Sequence, residues 1–117
     1  MSRTIEAKEH DRLAMQEALD AEKTQPERNR LGQFATPTAL AEDVLQYAES
    51  LLPPAVKVQF LDPAIGTGSF YSALLKVFPK KRIAEALGFE LDPHYGKPAT
   101  HFWKDTGLAL KLADFTQ

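Results

Sequence analysis

Residues 60–70 read FLDPAIGTGSF, and this stretch decides the fold. Its glycines are preceded by apolar, β-prone residues, Val56, Val58, Phe60 and Leu61, which is typical of a strand packed on both faces. After the glycines, Phe70, Leu74 and Val77 recur at helical spacing, so the period changes from strand-like to helix-like across the loop. The sequence therefore predicts a buried strand, a tight glycine loop and a helix in direct succession.

The glycine loop has the features of a ligand-binding turn. Gly66 and Gly68 permit backbone angles that side chains forbid, and N–H groups at the start of the next helix would point at a ligand. A dinucleotide fingerprint needs a third glycine where Tyr71 stands, and Asp62 would repel a pyrophosphate but attract an amino group. Both features favour S-adenosylmethionine over NAD, while an ordinary tight turn stays open on this motif alone.

Composition places the chain among soluble globular proteins. Its 117 residues, 44% hydrophobic and 26% charged, suffice for one domain with one core. The net charge of −2 argues against binding nucleic acid by bulk electrostatics, although DNA could be the substrate of a larger assembly. The absence of cysteine excludes disulfides, thiolate zinc sites and a cysteine nucleophile. Neither a membrane span nor a secretory signal is recognisable, so we expect a cytoplasmic protein without a membrane partner. His94 and His101 are not spaced with carboxylates as metal ligands, so we expect no metal partner either.

The N-terminal residues 1–27 form the first predicted unit, a helical extension. They are charged and rich in helix formers, but few large apolar residues share a face. We therefore expect a loosely docked helix with a solvated surface, with a partner-binding helix as the alternative. Residues 28–117 form the second unit, a partial cofactor-binding domain.

A helix start is predicted at Thr36 and Pro37, with a hydroxyl cap followed by proline at the first helical position. We expect the helix to bury an apolar stripe, made of Leu40, Val44, Tyr47, Ala48 and Leu51. Gln33, Phe34 and Thr36 lie at or just before its N-terminus, where they could meet a ligand carboxylate. A purely structural role for this segment is equally open.

Two more strands are predicted downstream. Residues 83–89 read as a strand followed by Glu90, which lies 22 residues after Gly68. In a βαβ unit, an acid roughly 20 residues after the glycine loop binds the ribose hydroxyls, so the offset favours this role for Glu90. The alternative is that Glu90 is an ordinary surface acid at a strand end. Residues 94–98 are predicted as a turn, 99–104 as a short helix, and 108–113 as a third strand before Asp114 and Phe115.

Acids therefore follow all three predicted strands: Asp62, Glu90 and Asp114. Helical crossovers make successive strands parallel, so their carboxyl ends meet at one edge of the sheet, where open α/β sheets bind ligands. We expect the acids to meet in turn the amino acid group, ribose and adenine amine of the cofactor, with Phe115 bordering the adenine.

These motifs together resemble the N-terminal part of type II restriction-modification DNA adenine-N6 methyltransferases, in the class whose cofactor motifs precede the catalytic one. Residues 32–37 (GQFATP) resemble motif X of that family, and residues 62–70 (DPAIGTGSF) resemble motif I. Residues 88–93 (GFELDP) and 113–115 (ADF) resemble motifs II and III. The four motifs occur in family order within residues 28–117.

The resemblance implies the N-terminal half of a Rossmann-like S-adenosylmethionine-dependent methyltransferase fold, with about three parallel strands and flanking helices. It implies that Thr36 and Asp62 contact the methionine part of the cofactor, Glu90 its ribose, and Asp114 with Phe115 its adenine. The expected cofactor-binding residues are Gln33, Phe34, Thr36, Asp62, Ala64, Gly66, Gly68, Glu90, Asp114 and Phe115.

The catalytic tetrapeptide of the family, Asn or Asp followed by Pro-Pro and an aromatic residue, does not occur. The single Pro-Pro, Pro53-Pro54, lies between Leu52 and Ala55. We therefore expect no catalytic residue and no activity of the chain alone, whereas the intact enzyme would methylate a flipped adenine in DNA. Because the chain stops three residues after Asp114, we expect a truncated gene product or a deliberately excised domain.

Two other readings are compatible with this sequence. One is a non-enzymatic partner subunit of a split methyltransferase, which would pair with another chain, or with itself, through an open sheet edge at the third strand. The other is a fragment of a small-molecule methyltransferase, because a cofactor-binding half does not specify the acceptor. Residues 32–37 favour the DNA family over this last reading.

Overall fold

The computed structural model describes residues 4–31 and 34–116. Its elements, in chain order, are helices α1 Ile5–Ala21, α2 Gln25–Leu31 and α3 Thr38–Leu51, strand β1 Val58–Asp62, helix α4 Ser69–Val77, a 3-10 turn Lys80–Arg82, strand β2 Ile83–Phe89, helix α5 Pro93–Phe102 and strand β3 Leu108–Lys111. The sheet is parallel with the order β1-β2-β3. The predicted α/β class, with three parallel strands and flanking helices, is confirmed, as are the bounds of β2.

One core lies between one face of the sheet and the helices. Register places Phe60, Ala86 and Leu108 in one row across the three strands, and this row packs against buried residues of α3, α4 and the end of α5. Tyr71 from α4 contacts the ring of Trp103, which follows α5, edge-on at 5.0 Å between centroids. Aromatic packing therefore fixes α4 and α5 on the same face.

The opposite face of the sheet is open within the described residues. Leu61, Leu87 and Ala109 share a row on that face, and Leu61 is 51% exposed. The prediction that β1 is packed on both faces is therefore wrong. An apolar run cannot distinguish a strand that is covered twice from one that is covered once.

Helix α1 is firmly docked, so the prediction of a loosely docked helix is wrong. It packs on α4 and α5. Its buried side chains Arg12 and Gln16 hydrogen-bond with Thr67 in the glycine loop, while Leu13 is exposed. Searching for an apolar face misses this arrangement because the docking groups are polar. The domain boundary at residue 27 stays a prediction.

Helix α3 buries a different face from the predicted one. Ala41 and Leu45 are buried against α4, while most of the predicted stripe is exposed. Both faces are apolar, and the alanine side lets α3 lie close to α4. The predicted cap is also wrong: α3 begins at Thr38, Pro37 is the N-cap residue, and no side-chain capping bond forms there.

Two helix starts were not predicted. Thr24 and Glu27 form a capping box at the start of α2, since each side chain accepts a hydrogen bond from the backbone N–H of the other. Asp92 caps α5 by accepting from the N–H of His94 at 2.9 Å, and Pro93 follows at the first helical position. The predicted turn at 94–98 is therefore helical. Within the described ranges, no helix has the length and apolarity needed to cross a membrane.

Leu45→Ala and Leu40→Ala compare the two faces of α3. Leu45 is 8% exposed and Leu40 is 53% exposed, so we expect the first change to lower the free energy of unfolding by about 2–4 kcal/mol and the second by less than about 1 kcal/mol. Urea denaturation at low protein concentration measures both. A larger loss for Leu40→Ala would mean that the predicted stripe is the buried face.

Candidate functional site

A cavity of about 600 Å³ opens at the carboxyl ends of the strands. This volume lies within the roughly 300–1,000 Å³ of ligand pockets. Its walls come from α1, the segment before α3, the glycine loop, and the segments that follow β2 and β3. The cavity is lined by eight of the ten predicted residues: Phe34, Thr36, Asp62, Ala64, Gly66, Glu90, Asp114 and Phe115.

The other two predicted residues differ in outcome. Gln33 lies outside the described residues. Gly68 is absent from the cavity lining, and a Cβ at this position would lie 2.5 Å from Nε1 of Trp103. That indole N–H donates to the carbonyl oxygen of Thr67 at 2.8 Å. Gly68 therefore lets the tryptophan approach the loop, and its expected contact with a ligand stays a prediction.

Glu90 joins the two loops that follow β1 and β2. Its Oε1 accepts from the N–H of Gly66 at 2.9 Å, and its Oε2 accepts from the N–H of Asp92 at 3.0 Å. The side chain is buried, so the alternative of an ordinary surface acid is wrong. Each carboxylate oxygen has a second lone pair, and Glu90 could accept two further hydrogen bonds from a ligand in the cavity.

Asp62 ends β1 at the wall of the cavity. Its Oδ1 accepts from the N–H of Ala64 at 3.1 Å. Burial raises the pKa of this carboxyl, and the Ala64 hydrogen bond offsets only part of the effect. A cationic group beside Asp62 would offset the cost of burying the charged carboxylate.

The start of helix α4 offers complementary charge. Ser69 and Phe70, the first residues of the helix, line the cavity. Gly68 is the N-cap residue and supplies no side-chain hydrogen bond, so within the described part of the chain first-turn N–H groups remain for an anionic partner. Asp62 and this helix start together suit a ligand that carries both an ammonium and a carboxylate.

Asp114 and Phe115 form the far wall of the cavity. β3 ends at Lys111, so Asp114 lies in the following loop and not directly at the end of the strand as predicted. Hydrogen bonds from the hydroxyl and N–H of Thr116 lower the pKa of Asp114. Phe115 packs edge-on against Phe89 with 5.3 Å between centroids, and its exposed ring borders the cavity.

Three lining residues lie outside the four sequence motifs: Gln16, Lys23 and Tyr95. Lys23 pairs with Asp92 and lies 5.5 Å from the ring centroid of Tyr95. Burial, followed by a hydrogen bond to Asp20, raises the pKa of Tyr95. The Asp-Pro pair at 92–93 signals a helix start, and it could have placed Tyr95 on a helix beside this cavity. No local pattern indicates that α1, which carries Gln16, lies against the cavity.

The cavity is negatively charged. Among the described residues that line it, four are carboxylates (Asp62, Glu90, Asp92, Asp114) and one is a lysine. This balance favours a cationic ligand and disfavours a polyphosphate. In the same part of the chain, no group of three or more His, Asp or Glu side chains is arranged to hold a metal ion. No protein-family model matches the chain, so interpretation of the site depends on its geometry and chemistry.

Gly68→Ala and Gly66→Ala separate the roles of the two glycines. Both have left-handed φ angles, +98° and +58°. Among the described residues, a methyl group at Gly66 meets nothing within 4 Å, whereas one at Gly68 collides with Trp103. We expect unfolding free energy to fall by about 1 kcal/mol for Gly66→Ala and by about 3 kcal/mol for Gly68→Ala, measured in urea. Equal losses would contradict the packing role of Gly68.

Proposed function

We propose that the cavity binds S-adenosylmethionine and that the chain is the cofactor-binding portion of a DNA adenine-N6 methyltransferase of a restriction-modification system. The observation that carries this proposal is the arrangement of Asp62, Glu90 and Asp114 in the lining of one cavity beside the glycine loop. S-adenosylmethionine has three separate polar groups, namely the amino acid group, the ribose and the adenine amine, and each of them could meet one of these carboxylates. This correspondence supports S-adenosylmethionine as the ligand.

The residues fit the cofactor part by part. Asp62 would receive the ammonium, and the start of α4 would receive the carboxylate. Glu90 would accept from the ribose hydroxyls, and Asp114 from the adenine amine. The ring of Phe115 would border the adenine. When bound, the cofactor would supply an electrophilic methyl group, and these side chains would orient it.

The DNA adenine family is favoured by the residues around the cavity. Phe34 and Thr36, from the segment that resembles motif X, line the same cavity as the glycine loop. A small-molecule methyltransferase is the alternative, because the same cofactor groups serve many acceptors. Base methylation also needs acceptors for the amine hydrogens and an aromatic face for the flipped base. Since the sequence has no Asn/Asp-Pro-Pro-aromatic tetrapeptide, we expect the chain to bind cofactor without transferring methyl groups.

Calorimetric titration of the chain with S-adenosylmethionine tests the cofactor proposal. We expect weak binding that falls about tenfold or more in Asp62→Asn and Glu90→Gln, because each change removes a charged acceptor. Glu85→Gln is the matched control, since Glu85 is an exposed acid on β2, the strand that precedes Glu90.

Two results would contradict the proposal. Affinity that is equal in the wild type and in both cavity variants would remove the cofactor assignment, as would binding of NAD as tight as that of S-adenosylmethionine. Methyl transfer to plasmid DNA by the chain alone would contradict the expected lack of activity.

A second candidate function, a partner subunit of a split methyltransferase, is favoured by the uncovered apolar surface. Exposed side chains of α3 form a stripe, made of Leu40, Val44, Tyr47 and Leu51. Among the described strands, β1 and β3 have unpaired edges. Exposed strand edges and apolar patches commonly mark association surfaces.

Leu51→Glu tests association. The side chain of Leu51 is 65% exposed, so we expect normal folding of the variant. Light scattering coupled to size exclusion should show the wild type associating as its concentration rises and the variant associating less, because a carboxylate is costly to bury. A wild type that stays monomeric at high concentration counts against association of the chain with itself.

A further inference from the structure

We infer that Arg12 is a positioning residue for the glycine loop, and that the docking of α1 is thereby coupled to ligand binding in the cavity. The inference deepens the proposed function and rests on it. Neither the motifs in the sequence nor the lining of the cavity includes Arg12, which lies behind the loop.

Arg12 is fully buried and has partners on both sides. Its Nη1 donates to Oγ1 of Thr67 at 2.8 Å. Its Nε and Nη2 donate to the two carboxylate oxygens of Glu9 at 2.7 and 2.8 Å. The guanidinium is thus oriented by a bidentate pair within α1, and its remaining arm reaches the loop.

The hydroxyl of Thr67 has a fixed direction. It accepts from Arg12 and donates to Oε1 of Gln16 at 2.5 Å. The amide nitrogen of Gln16 donates in turn to Asp20 at 3.0 Å. Thr67 therefore cannot rotate without leaving buried polar groups unpaired, which is costly.

Thr67 lies between the two glycines of the loop. Its neighbours Gly66 and Gly68 have φ angles of +58° and +98°, and glycine visits many conformations at little cost. Gly66 lines the cavity and Gly68 begins α4. Holding the residue between them in place selects one backbone conformation for the loop.

The same pair also reaches helix α3. Oε2 of Glu9 accepts from the hydroxyl of Thr38 at 2.5 Å, and Thr38 is the first residue of α3. Burial would raise the pKa of Glu9, but hydrogen bonds from Arg12, Thr38 and Ser72 together with the charge of Arg12 lower it to about 2. Glu9 is therefore ionised at neutral pH, and α1 joins the loop to the start of α3.

Arg12→Ala tests the inference in two ways. We expect the affinity for S-adenosylmethionine to fall about tenfold or more, because a charged hydrogen bond to the loop is lost. In the ligand-free chain, we expect faster amide hydrogen exchange of residues 66–68. Glu17→Ala, on the exposed side of the same helix, should leave both measurements unchanged.

A double-mutant cycle with Thr67→Val distinguishes positioning from general stability. If Arg12 acts through the threonine hydroxyl, the double variant should lose no more affinity than the more affected single variant. Losses that multiply would contradict the inference. Arg12→Lys is used if the alanine variant fails to fold, because lysine keeps a positive charge near Glu9. Lysine lacks the guanidinium group that reaches both Glu9 and Thr67, so protection of residues 66–68 from hydrogen exchange should still fall.

The outcomes separate this inference from the proposed function. A wild-type chain that does not bind S-adenosylmethionine ends the cofactor proposal, while ligand-free exchange of residues 66–68 still decides whether Arg12 orders the loop. Wild-type affinity and wild-type loop protection in folded Arg12→Ala or Arg12→Lys would overturn the inference alone.

Discussion

The backbone of the glycine loop is held by hydrogen bonds from three directions, and the shape of the cavity depends on them. Arg12 fixes the hydroxyl of Thr67 from α1, and Trp103 fixes its carbonyl oxygen from the end of α5. Glu90 accepts from Gly66 on the third side. All three holding groups are buried, so breaking any one leaves an unpaired polar group away from water. A loop of intrinsically flexible residues is thereby given one conformation.

Much of the fold and most of the cavity could be predicted because they follow local rules. The alternation of strand and helix patterns around residues 60–70 indicates parallel strands, and parallel strands bring their carboxyl ends together. That rule predicted Asp62, Glu90 and Asp114 in one place, and all three line the cavity, although Asp114 stands three residues beyond the end of β3. Residue spacing along the chain was enough for this part.

The remainder depends on contacts that have no local signature. Arg12 and Thr67 lie 55 positions apart, and no pattern within α1 indicates that polar side chains dock it. Helix α3 buries Ala41 and Leu45 against α4, whereas the more obvious stripe through Leu40 stays exposed. Gly68 matches a binding motif, and its φ of +98° and the bulk of Trp103 both require a glycine there; the contact with Trp103 has no local signature.

The polar attachment of α1 has a thermodynamic consequence. Exposure of apolar surface raises the heat capacity on unfolding, and the stabilisation that comes from burying this surface weakens on cooling. Exposure of polar surface lowers the heat capacity on unfolding. Because Arg12, Gln16 and Glu9 dock α1 by hydrogen bonds with Thr67 and Thr38, release of this helix should depend on temperature differently from unfolding of the core around Trp103. On cooling, the packing around Trp103 would weaken before the hydrogen bonds between α1 and Thr67 did.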